Sequence, residues 1–360
     1  MIKKHLFSLA LLCCLFPIGS ALAQDRPPSE PIDAAGRHAV VESLSAQLQS
    51  RYVFPDVAER LATQLAAKDA AGGYAAAGDA EAFAEALSKD LRELGQDGHF
   101  VVHYAPGVEP RPSSAKPSAE QLEQMRREMA YHGYGIERVE RLRGNVGYLE
   151  VRGFGPTDLV AEAYSAAMTL LSGTDALILD LRRNGGGEPE SVAYLLSHFF
   201  ASGDTRHLND IYTRPEDTTR QYWTVPAVGP RYTKPVYVLT SGRTFSGGEE
   251  CAYDLQTQKR ALLVGDTTGG GANPGDDFAL GHGFVAFIPT GRSINPVTGT
   301  NWEHVGVKPD IAVPAAEALK TAHAAILEGL IAEKQDPEEI DYLKRTLEQV
   351  KSGVAEVPVY

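Results

Sequence analysis

The N-terminal part of the chain carries hydrophobic residues at helical spacing. Leu44, Leu48 and Tyr52 recur every four residues, and similar spacing continues as far as position 94. This spacing places apolar side chains on one face of a helix. Pro55 and a later pair of glycines interrupt the pattern. Residues 37–94 are therefore predicted to form a small bundle of two or three helices.

After residue 145, short continuous apolar runs alternate with amphipathic segments. Strands are predicted at Val146–Val151, Ala176–Leu181, Val236–Leu239 and Ala261–Gly265, and helices at Asp158–Leu171, Pro189–Phe200 and Ser246–Gln258. Strands that alternate with helices indicate βαβ units and a mostly parallel sheet. The predicted class is therefore α/β, with short strands over 277–313 and one or two terminal helices over 315–351.

These patterns divide the chain into successive segments. We expect a signal peptide at 1–23, a linker at 24–36, the helical bundle at 37–94, a connecting strand, Pro-rich loop and short helix at 95–145, the α/β core at 146–333, and a C-terminal helix and tail at 334–360.

The first residues have the layout of a secretory signal. Lys3 and Lys4 precede an apolar run over Leu6–Ile18, and Ala21-Leu22-Ala23 is a small-residue ending. This order predicts export to the periplasm or extracellular space, with cleavage after Ala23. The run is too short for a stable membrane anchor, so no membrane insertion of the mature chain is expected.

Composition narrows the function classes. Acidic residues outnumber basic ones by 47 to 34, and loss of Lys3 and Lys4 with the signal changes the net charge from -13 to -15. This balance argues against sequence-independent nucleic-acid binding. Cys251 remains as a single cysteine, so no internal disulfide is possible. The mature chain has no C-x-x-C pair, and we expect it to bind neither a metal nor a cofactor. The sequence does not indicate the oligomeric state.

Glycine-rich turns follow two of the predicted strands, and a nucleotide site fits neither turn. A dinucleotide fingerprint that begins at Gly185 needs glycine where Glu190 stands, and a P-loop needs lysine where Gly271 stands. Such a turn is either a plain strand-to-helix connection or a source of backbone N–H groups for an oxyanion. Gly185 and Gly186 are the candidates for the second role.

Ser246 stands where the next helix should begin. Serine at that place is often an N-cap, and Glu249 three residues later completes a capping box. A nucleophile is the alternative, because Gly247 and Gly248 leave space for an acyl group and the N–H of Gly247 can face an oxyanion. Ser241 is interpreted as a turn residue.

A serine nucleophile needs a base. The candidates include His99 at a turn-to-strand junction, His282 between glycines, and His304 after Glu303. Spacing alone does not choose among them. The G-x-S-x-G elbow of α/β-hydrolases is not met, because Thr244 replaces its first glycine.

Several motifs in order resemble the tail-specific, or C-terminal processing, serine peptidases. The chain is most similar to the branch that contains the tricorn protease core and the modules of interphotoreceptor retinoid-binding protein. The matching segments are Gly147–Leu149, Leu179–Gly187, Thr240-Ser241, Thr244–Glu249, Gly265–Gly271 and Gly306–Ile311. The resemblance covers roughly residues 37–330.

The resemblance implies a crotonase-like core behind a helical N-terminal cap. It implies Ser246 as nucleophile, with Gly247 and Gly185 or Gly186 supplying the oxyanion hole. Only about 40 residues separate His103 from Gly144, too few for the PDZ domain common in the family, so no PDZ domain is expected.

The resemblance also points to a base. The processing branch uses a lysine in the second glycine-rich turn, where this chain has Gly271. The tricorn-like branch uses an upstream histidine, which His99 matches, and a later glutamate, which Glu303 matches. Gly98 replaces the serine that stands beside that histidine in tricorn. These residues imply peptide-bond cleavage by Ser246 with His99 as base and Glu303 orienting it.

Two other functions stay open at this point. The same scaffold can serve as a non-catalytic binder of an apolar ligand or peptide. An esterase of α/β-hydrolase type would use Ser246, Asp266 or Asp277, and His304, which fits the order serine, acid, histidine. A peptidase would act on a protein or peptide substrate, whose identity the sequence does not give.

Overall fold

The computed structural model describes residues 30–110 and 116–353. The helices are α1 (Ala34–Arg51), α2 (Pro55–Ala70), α3 (Ala80–Gly95), α4 (Ala119–Tyr131), α5 (Thr157–Leu171), α6 (Pro189–Ser197), α7 (Gly247–Thr257), α8 (Ala315–Glu333) and α9 (Pro337–Ser352). The strands are β1 (Val101–Tyr104), β2 (Ile136–Leu142), β3 (Val146–Val151), β4 (Ala176–Asp180), β5 (His207–Thr213), β6 (Thr218–Trp223), β7 (Val236–Thr240), β8 (Leu262–Gly265), β9 (Gly275–Gly281), β10 (Phe284–Pro289), β11 (Gly291–Ile294) and β12 (Ile311–Ala312). The predicted signal peptide lies outside the described residues.

Aspartate caps begin two helices of the N-terminal bundle. The Asp33 carboxylate accepts a hydrogen bond from the Gly36 N–H at 2.7 Å, and Asp79 accepts one from the Ala82 N–H at 2.9 Å. Such caps satisfy backbone donors that the first turn leaves open, each typically stabilising by about 1 kcal/mol. Because of the first cap, α1 begins at Ala34, inside the segment predicted as linker.

The central sheet has six strands in the order β12-β8-β7-β4-β3-β2. The four pairings from β12 to β3 are parallel, and β2 is antiparallel to β3. The predicted mostly parallel α/β sheet is therefore confirmed. The hydrophobic pattern did not predict β2, which joins this sheet ahead of residue 146. Because β4 and β7 are neighbours, the turns that follow them meet at one edge of the sheet.

Helices cover both faces of this sheet. All five residues of β4 are buried, with Leu177 and Leu179 packed in the cluster that includes α5, α6 and α7. Ala176 and Ile178 point to the opposite face, in the cluster that includes α8 and α9. A strand covered on both faces has no polar alternation, which explains the continuous apolar run in the sequence.

The N-terminal bundle packs on a second sheet, with strand order β1-β10-β9. The rings of Phe83 and Phe284 meet edge to face at 5.6 Å between centroids, and Phe100 is fully buried in the same cluster. Ser88 Oγ accepts a hydrogen bond from the Val102 N–H at 2.7 Å, which ties β1 to α3. The bundle therefore fixes the position of the strand that follows His99.

A third sheet has the order β11-β5-β6, and the sequence pattern did not predict the β5–β6 hairpin. The Arg214 guanidinium at its turn donates to the carbonyls of Tyr52 at 2.6 Å and Gln49 at 3.0 Å. These bonds connect the hairpin to the bundle. Over the described ranges, the helices all fall short of the length and apolarity needed to cross a bilayer.

Candidate active site

Ser246 lies in the turn between β7 and α7, in a conformation that is rare for a residue with a side chain. Its φ is 52° and its ψ is -123°, and such strain typically costs about 1–3 kcal/mol. The turn sets Ser246 at the N-terminus of α7, where backbone N–H groups are open. Ser241 is a turn residue as predicted, since its Oγ donates to the Arg182 carbonyl at 2.6 Å and accepts from the Arg243 N–H at 3.0 Å.

The carboxylate of Glu249 holds the serine turn. It accepts hydrogen bonds from the Ser246 N–H at 3.0 Å, the Thr268 hydroxyl at 2.5 Å, and the N–H groups of Gly270 at 2.6 Å and Gly271 at 2.8 Å. Burial raises the pKa of Glu249, and these four donors oppose that rise. The sequence predicted only a capping role, whereas the structure makes Glu249 a bridge between two turns.

The glycine turn after β4 lies directly against Ser246. The Asn184 amide shapes this turn, because its oxygen accepts from the Gly186 N–H at 2.8 Å and its nitrogen donates to the Val151 carbonyl at 3.0 Å. Gly186 has a φ of 105°, and a Cβ there would lie 2.7 Å from Ser246 Cβ. Only glycine allows this approach.

Two N–H groups near Ser246 are open. A Cβ on Gly247 would lie 3.1 Å from the Gly187 nitrogen, so these two glycines are close together. Neither N–H donates to a protein acceptor within residues 30–110 and 116–353. By contrast, the Gly185 N–H donates to the Arg152 carbonyl at 3.2 Å and the Gly186 N–H to Asn184. The two predicted glycine-turn donors are therefore already bonded.

His99 lies in the turn between α3 and β1, beside the fully buried carboxylate of Asp97. Asp97 Oδ1 accepts from the His99 backbone N–H at 3.0 Å and lies 3.4 Å from its Nδ1. Asp97 Oδ2 accepts from Asn273 Nδ2 at 2.9 Å and the Tyr52 hydroxyl at 3.3 Å. Burial acts to raise the pKa of Asp97, but the contacts with His99 and Asn273 outweigh it and hold that pKa below its usual value.

Glu303 joins this pair. One ligand atom from each of Asp97, His99 and Glu303 lies within 4.8 Å of the others. Glu303 Oε2 accepts from the Ala272 N–H at 2.5 Å, whereas Oε1 is buried without a hydrogen bond. Burial, followed by the charge of Asp97, raises the pKa of Glu303 to about 8. The two carboxyl groups therefore differ in protonation near neutral pH.

Phe245 stands between the serine turn and the histidine. Its ring lies 4.6 Å from the His99 ring between centroids. Both ring nitrogens of His99 are buried without a hydrogen bond, so the Ser246 hydroxyl is not bonded to the imidazole in this structure. The fold packs His99 against Phe245, the residue before Ser246. It does not bring the imidazole into a hydrogen bond with the Ser246 hydroxyl.

The residues of the esterase alternative do not form a triad. The Asp266 carboxylate accepts from the Ala315 N–H at 3.0 Å, at the start of α8. Asp277 Oδ1 is buried without a hydrogen bond. The His304 side chain is 52% exposed, and the acid within ion-pair distance of its ring is Glu303 at 3.6 Å.

Sequence reasoning missed the site roles of four residues, which are Asp97, Asn184, Gly187 and Glu249. Asp97 had a local signal, since it stands two positions before His99 in a tight turn. Asn184 was noted only as part of a motif, and Glu249 only as a cap. Their roles depend on partners far away in the chain, such as Asn273 for Asp97 and Gly271 for Glu249.

Comparison with known protein families shows the class of protein to which this chain belongs. A model described as peptidase family S41 matches residues 145–313, and one described as the N-terminal domain of that family in eukaryotic IRBP matches residues 35–133. This chain belongs to peptidase family S41. The resemblance found from the motifs, including that to the retinoid-binding protein modules, is confirmed.

Individual relatives agree with this membership. The chloroplastic carboxyl-terminal-processing peptidase 1 of Arabidopsis thaliana is 27% identical over 188 residues, which cover 52% of this chain and 37% of that protein. The matches span less than half the length of each curated relative.

Two solved structures share the fold at 12% identity. A CPAF mutant has a TM-score of 0.56 and covers 91% of this chain and 99% of its own. The tricorn protease has a TM-score of 0.52 and covers 88% of this chain and 37% of its own. The predicted crotonase-like class with a helical N-terminal region agrees with this likeness.

Proposed function

We propose that this chain is an exported serine endopeptidase that cleaves peptide bonds through an acyl-enzyme on Ser246. The observation that carries the proposal is the strained Ser246 at the start of α7, beside the open N–H groups of Gly247 and Gly187. Family membership supports it, because the matching models describe peptidases. A serine that served only as a helix cap would need neither the strain nor the open donors.

The proposed reaction has two halves. Ser246 Oγ attacks the substrate carbonyl carbon while its proton moves to Nε2 of His99. The C–N bond then breaks, and the imidazolium of His99 returns the proton to the leaving amine. In the second half, water attacks the ester with His99 as base, which releases the acid product and restores the Ser246 hydroxyl.

We assign the oxyanion hole to the N–H groups of Gly247 and Gly187. The sequence assignment paired Gly247 with Gly185 or Gly186, but the latter two N–H groups have partners in the protein. Donors aimed at the developing oxyanion are typically worth about 10²–10³ in rate each. A donor that is already bonded to a carbonyl or amide oxygen would supply less of that effect.

Two carboxyl groups can assist His99. Glu303 is the orienting residue that the resemblance implies, and Asp97 faces Nδ1 at 3.4 Å. We propose that Asp97 keeps the imidazole oriented and that Glu303 supports it from the second side. Formation of the Ser246–His99 hydrogen bond then belongs to substrate binding, since catalytic hydrogen bonds are often long before the substrate arrives.

Protein or peptide substrates follow from the proposed chemistry. The Arabidopsis relative is named a processing peptidase, which supports a protein substrate here. Export is proposed from the leader at 1–23, and N-terminal sequencing of the secreted protein would test it by finding a start at Gln24.

Labelling by a fluorophosphonate tests the nucleophile. The wild-type chain should be labelled and should hydrolyse casein peptides, and Ser246→Ala should do neither. Ser241→Ala is the matched control, because its hydroxyl lies in the same turn but bonds to backbone. Equal labelling of wild type and Ser246→Ala would contradict the proposal that Ser246 is the nucleophile.

A non-catalytic binder is the second candidate. The absent Ser246–His99 hydrogen bond favours it, as does the match of residues 35–133 to a domain of eukaryotic IRBP. Absence of labelling in the wild type, together with a purified apolar ligand or peptide bound to it, would favour this function over hydrolysis.

A further inference from the structure

The cluster of Asp97, His99 and Glu303 has unused ligand atoms. The side chains are 0%, 9% and 8% exposed, respectively. Both ring nitrogens of His99 and Oε1 of Glu303 are buried without a hydrogen bond. Buried polar atoms are nearly always bonded, so three such atoms in one cluster call for a partner.

The cluster also lacks a nearby protein cation. Within the described part of the chain, neither Asp97 nor Glu303 has a lysine or arginine nitrogen within 4.0 Å. The ion-pair contacts of these two acids are with histidines, His99 and the half-exposed His304. Buried charges are paired or coordinate metals, so a bound cation would compensate the buried Asp97 carboxylate.

We propose that Asp97, His99 and Glu303 bind one zinc ion and that the bound ion inhibits the enzyme by occupying His99. Binding itself follows from the ligand set alone, whereas inhibition rests on the proposed function, in which His99 is the base. This ion is a regulatory ligand of the site and has no role in the peptidase reaction.

The side chains of this cluster offer the atom types that zinc binds, and the distances between those atoms are close to the distances between zinc ligands. Zinc takes imidazole nitrogen and carboxylate oxygen at about 2.0–2.2 Å, which places two tetrahedral ligands roughly 3.4 Å apart. The Nδ1 of His99 and Oδ1 of Asp97 already lie 3.4 Å apart. The cluster as a whole lies within 4.8 Å, so Glu303 has to approach by at most about 1.4 Å. The fourth position is left for water.

The bound ion would prevent base catalysis for a simple reason. A neutral imidazole has one lone pair in the ring plane, on whichever nitrogen lacks a proton. Zinc on Nδ1 uses that pair and leaves Nε2 protonated, so Nε2 cannot take the proton of Ser246. Zinc on Nε2 blocks the same atom directly.

Zinc chloride titrated into the Ser246→Ala protein by calorimetry tests binding without any need for activity. One ion per chain is expected. Glu303→Gln, made in the same background, should weaken binding at least about 10-fold, since loss of even an outer-shell partner of a metal ligand costs that much. His207→Ala is the matched control, because His207 pairs with a single acid, Asp210 at 2.6 Å. Absent binding, or unchanged affinity in Glu303→Gln, would overturn the site.

Labelling of the wild-type protein by fluorophosphonate, with and without zinc chloride, tests inhibition. Labelling should fall as zinc saturates the site and should return with EDTA. Zinc binding without loss of labelling would contradict the inhibitory role and leave the peptidase proposal intact. Binding to a protein that is not labelled under any condition would count against the peptidase proposal, and hence against inhibition, but not against the site.

Discussion

The ring of Phe245 lies on the imidazole of His99, with 4.6 Å between their centroids. The residue before the proposed nucleophile thus supports the proposed base, although 146 positions separate them. Gly271 makes room for this contact, because any Cβ there would meet the Phe245 ring and would lie 2.7 Å from His99 Cε1. In the processing branch that the motifs resemble, this position carries a lysine. A side chain at 271 and the histidine base therefore compete for the same space.

Gly271→Ala should disable the site by displacing His99 and Phe245. We expect kcat/KM for a peptide substrate to fall roughly 10²-fold, the effect typical of a displacement of about 1 Å in a catalytic group. Gly242→Ala is the control, since the nearest atom to its new Cβ lies 4.0 Å away. Unchanged activity in Gly271→Ala would show that the observed position of His99 is not the catalytic one.

Gly186→Ala should damage both stability and activity. Its φ of 105° strains any residue with a Cβ, by about 1–3 kcal/mol, and the new methyl would lie 2.7 Å from Ser246 Cβ and 2.9 Å from the Gly247 nitrogen. Urea unfolding and peptide hydrolysis measure the two effects. Gly173→Ala, with nothing within 4 Å of its Cβ, should behave as wild type, and equal behaviour of both variants would count against the assigned oxyanion hole.

Substitution of the two carboxyl groups should show which one orients His99. Asp97→Asn should lower kcat by up to about 10⁴, the effect of neutralising the orienting acid of a triad. Glu303→Gln should cost less near neutral pH, because the raised pKa of Glu303 already favours its neutral form. Circular dichroism should confirm that both variants are folded. A larger loss of kcat in Glu303→Gln than in Asp97→Asn would show that Glu303, not Asp97, orients His99.

The pKa of Glu303 predicts how stability depends on pH. Burial and the charge of Asp97 raise it to about 8, whereas the pKa of a glutamate in the unfolded chain is about 4.3. Between these values the folded protein holds a proton that the unfolded chain has released, so the free energy of unfolding should decrease as pH rises. Urea unfolding at about pH 5.5 and about pH 8.5, in EDTA, measures the decrease.

Glu303→Gln is the variant that isolates this effect. It removes the titration, so its free energy of unfolding should decrease less over the same range. Glu250, whose pKa burial also raises to about 8, contributes equally to both proteins and cancels in the comparison. Parallel pH dependence in wild type and Glu303→Gln would show that Glu303 is ionised in the folded state.

Much of the architecture could be predicted from the chain because it depends on near neighbours. The helical spacing of Leu44, Leu48 and Tyr52 and the apolar run of β4 each report local geometry and burial. The pattern failed at β2 and at the β5–β6 hairpin. Both have polar, half-exposed positions, and the pairing partner rather than the periodicity defines such strands.

The sequence by itself determined the βαβ order, the serine at a helix start and the glycine turn after β4, since each follows from residues a few positions apart. Only the tertiary structure decided that Asn273 holds the Asp97 carboxylate, that Gly187 rather than Gly185 or Gly186 keeps an open N–H, and that Phe245 packs on the imidazole. The contact between Phe245 and His99 joins a turn of the central sheet to the turn that precedes the second sheet. Its geometry depends on how the two sheets pack, which no local pattern encodes.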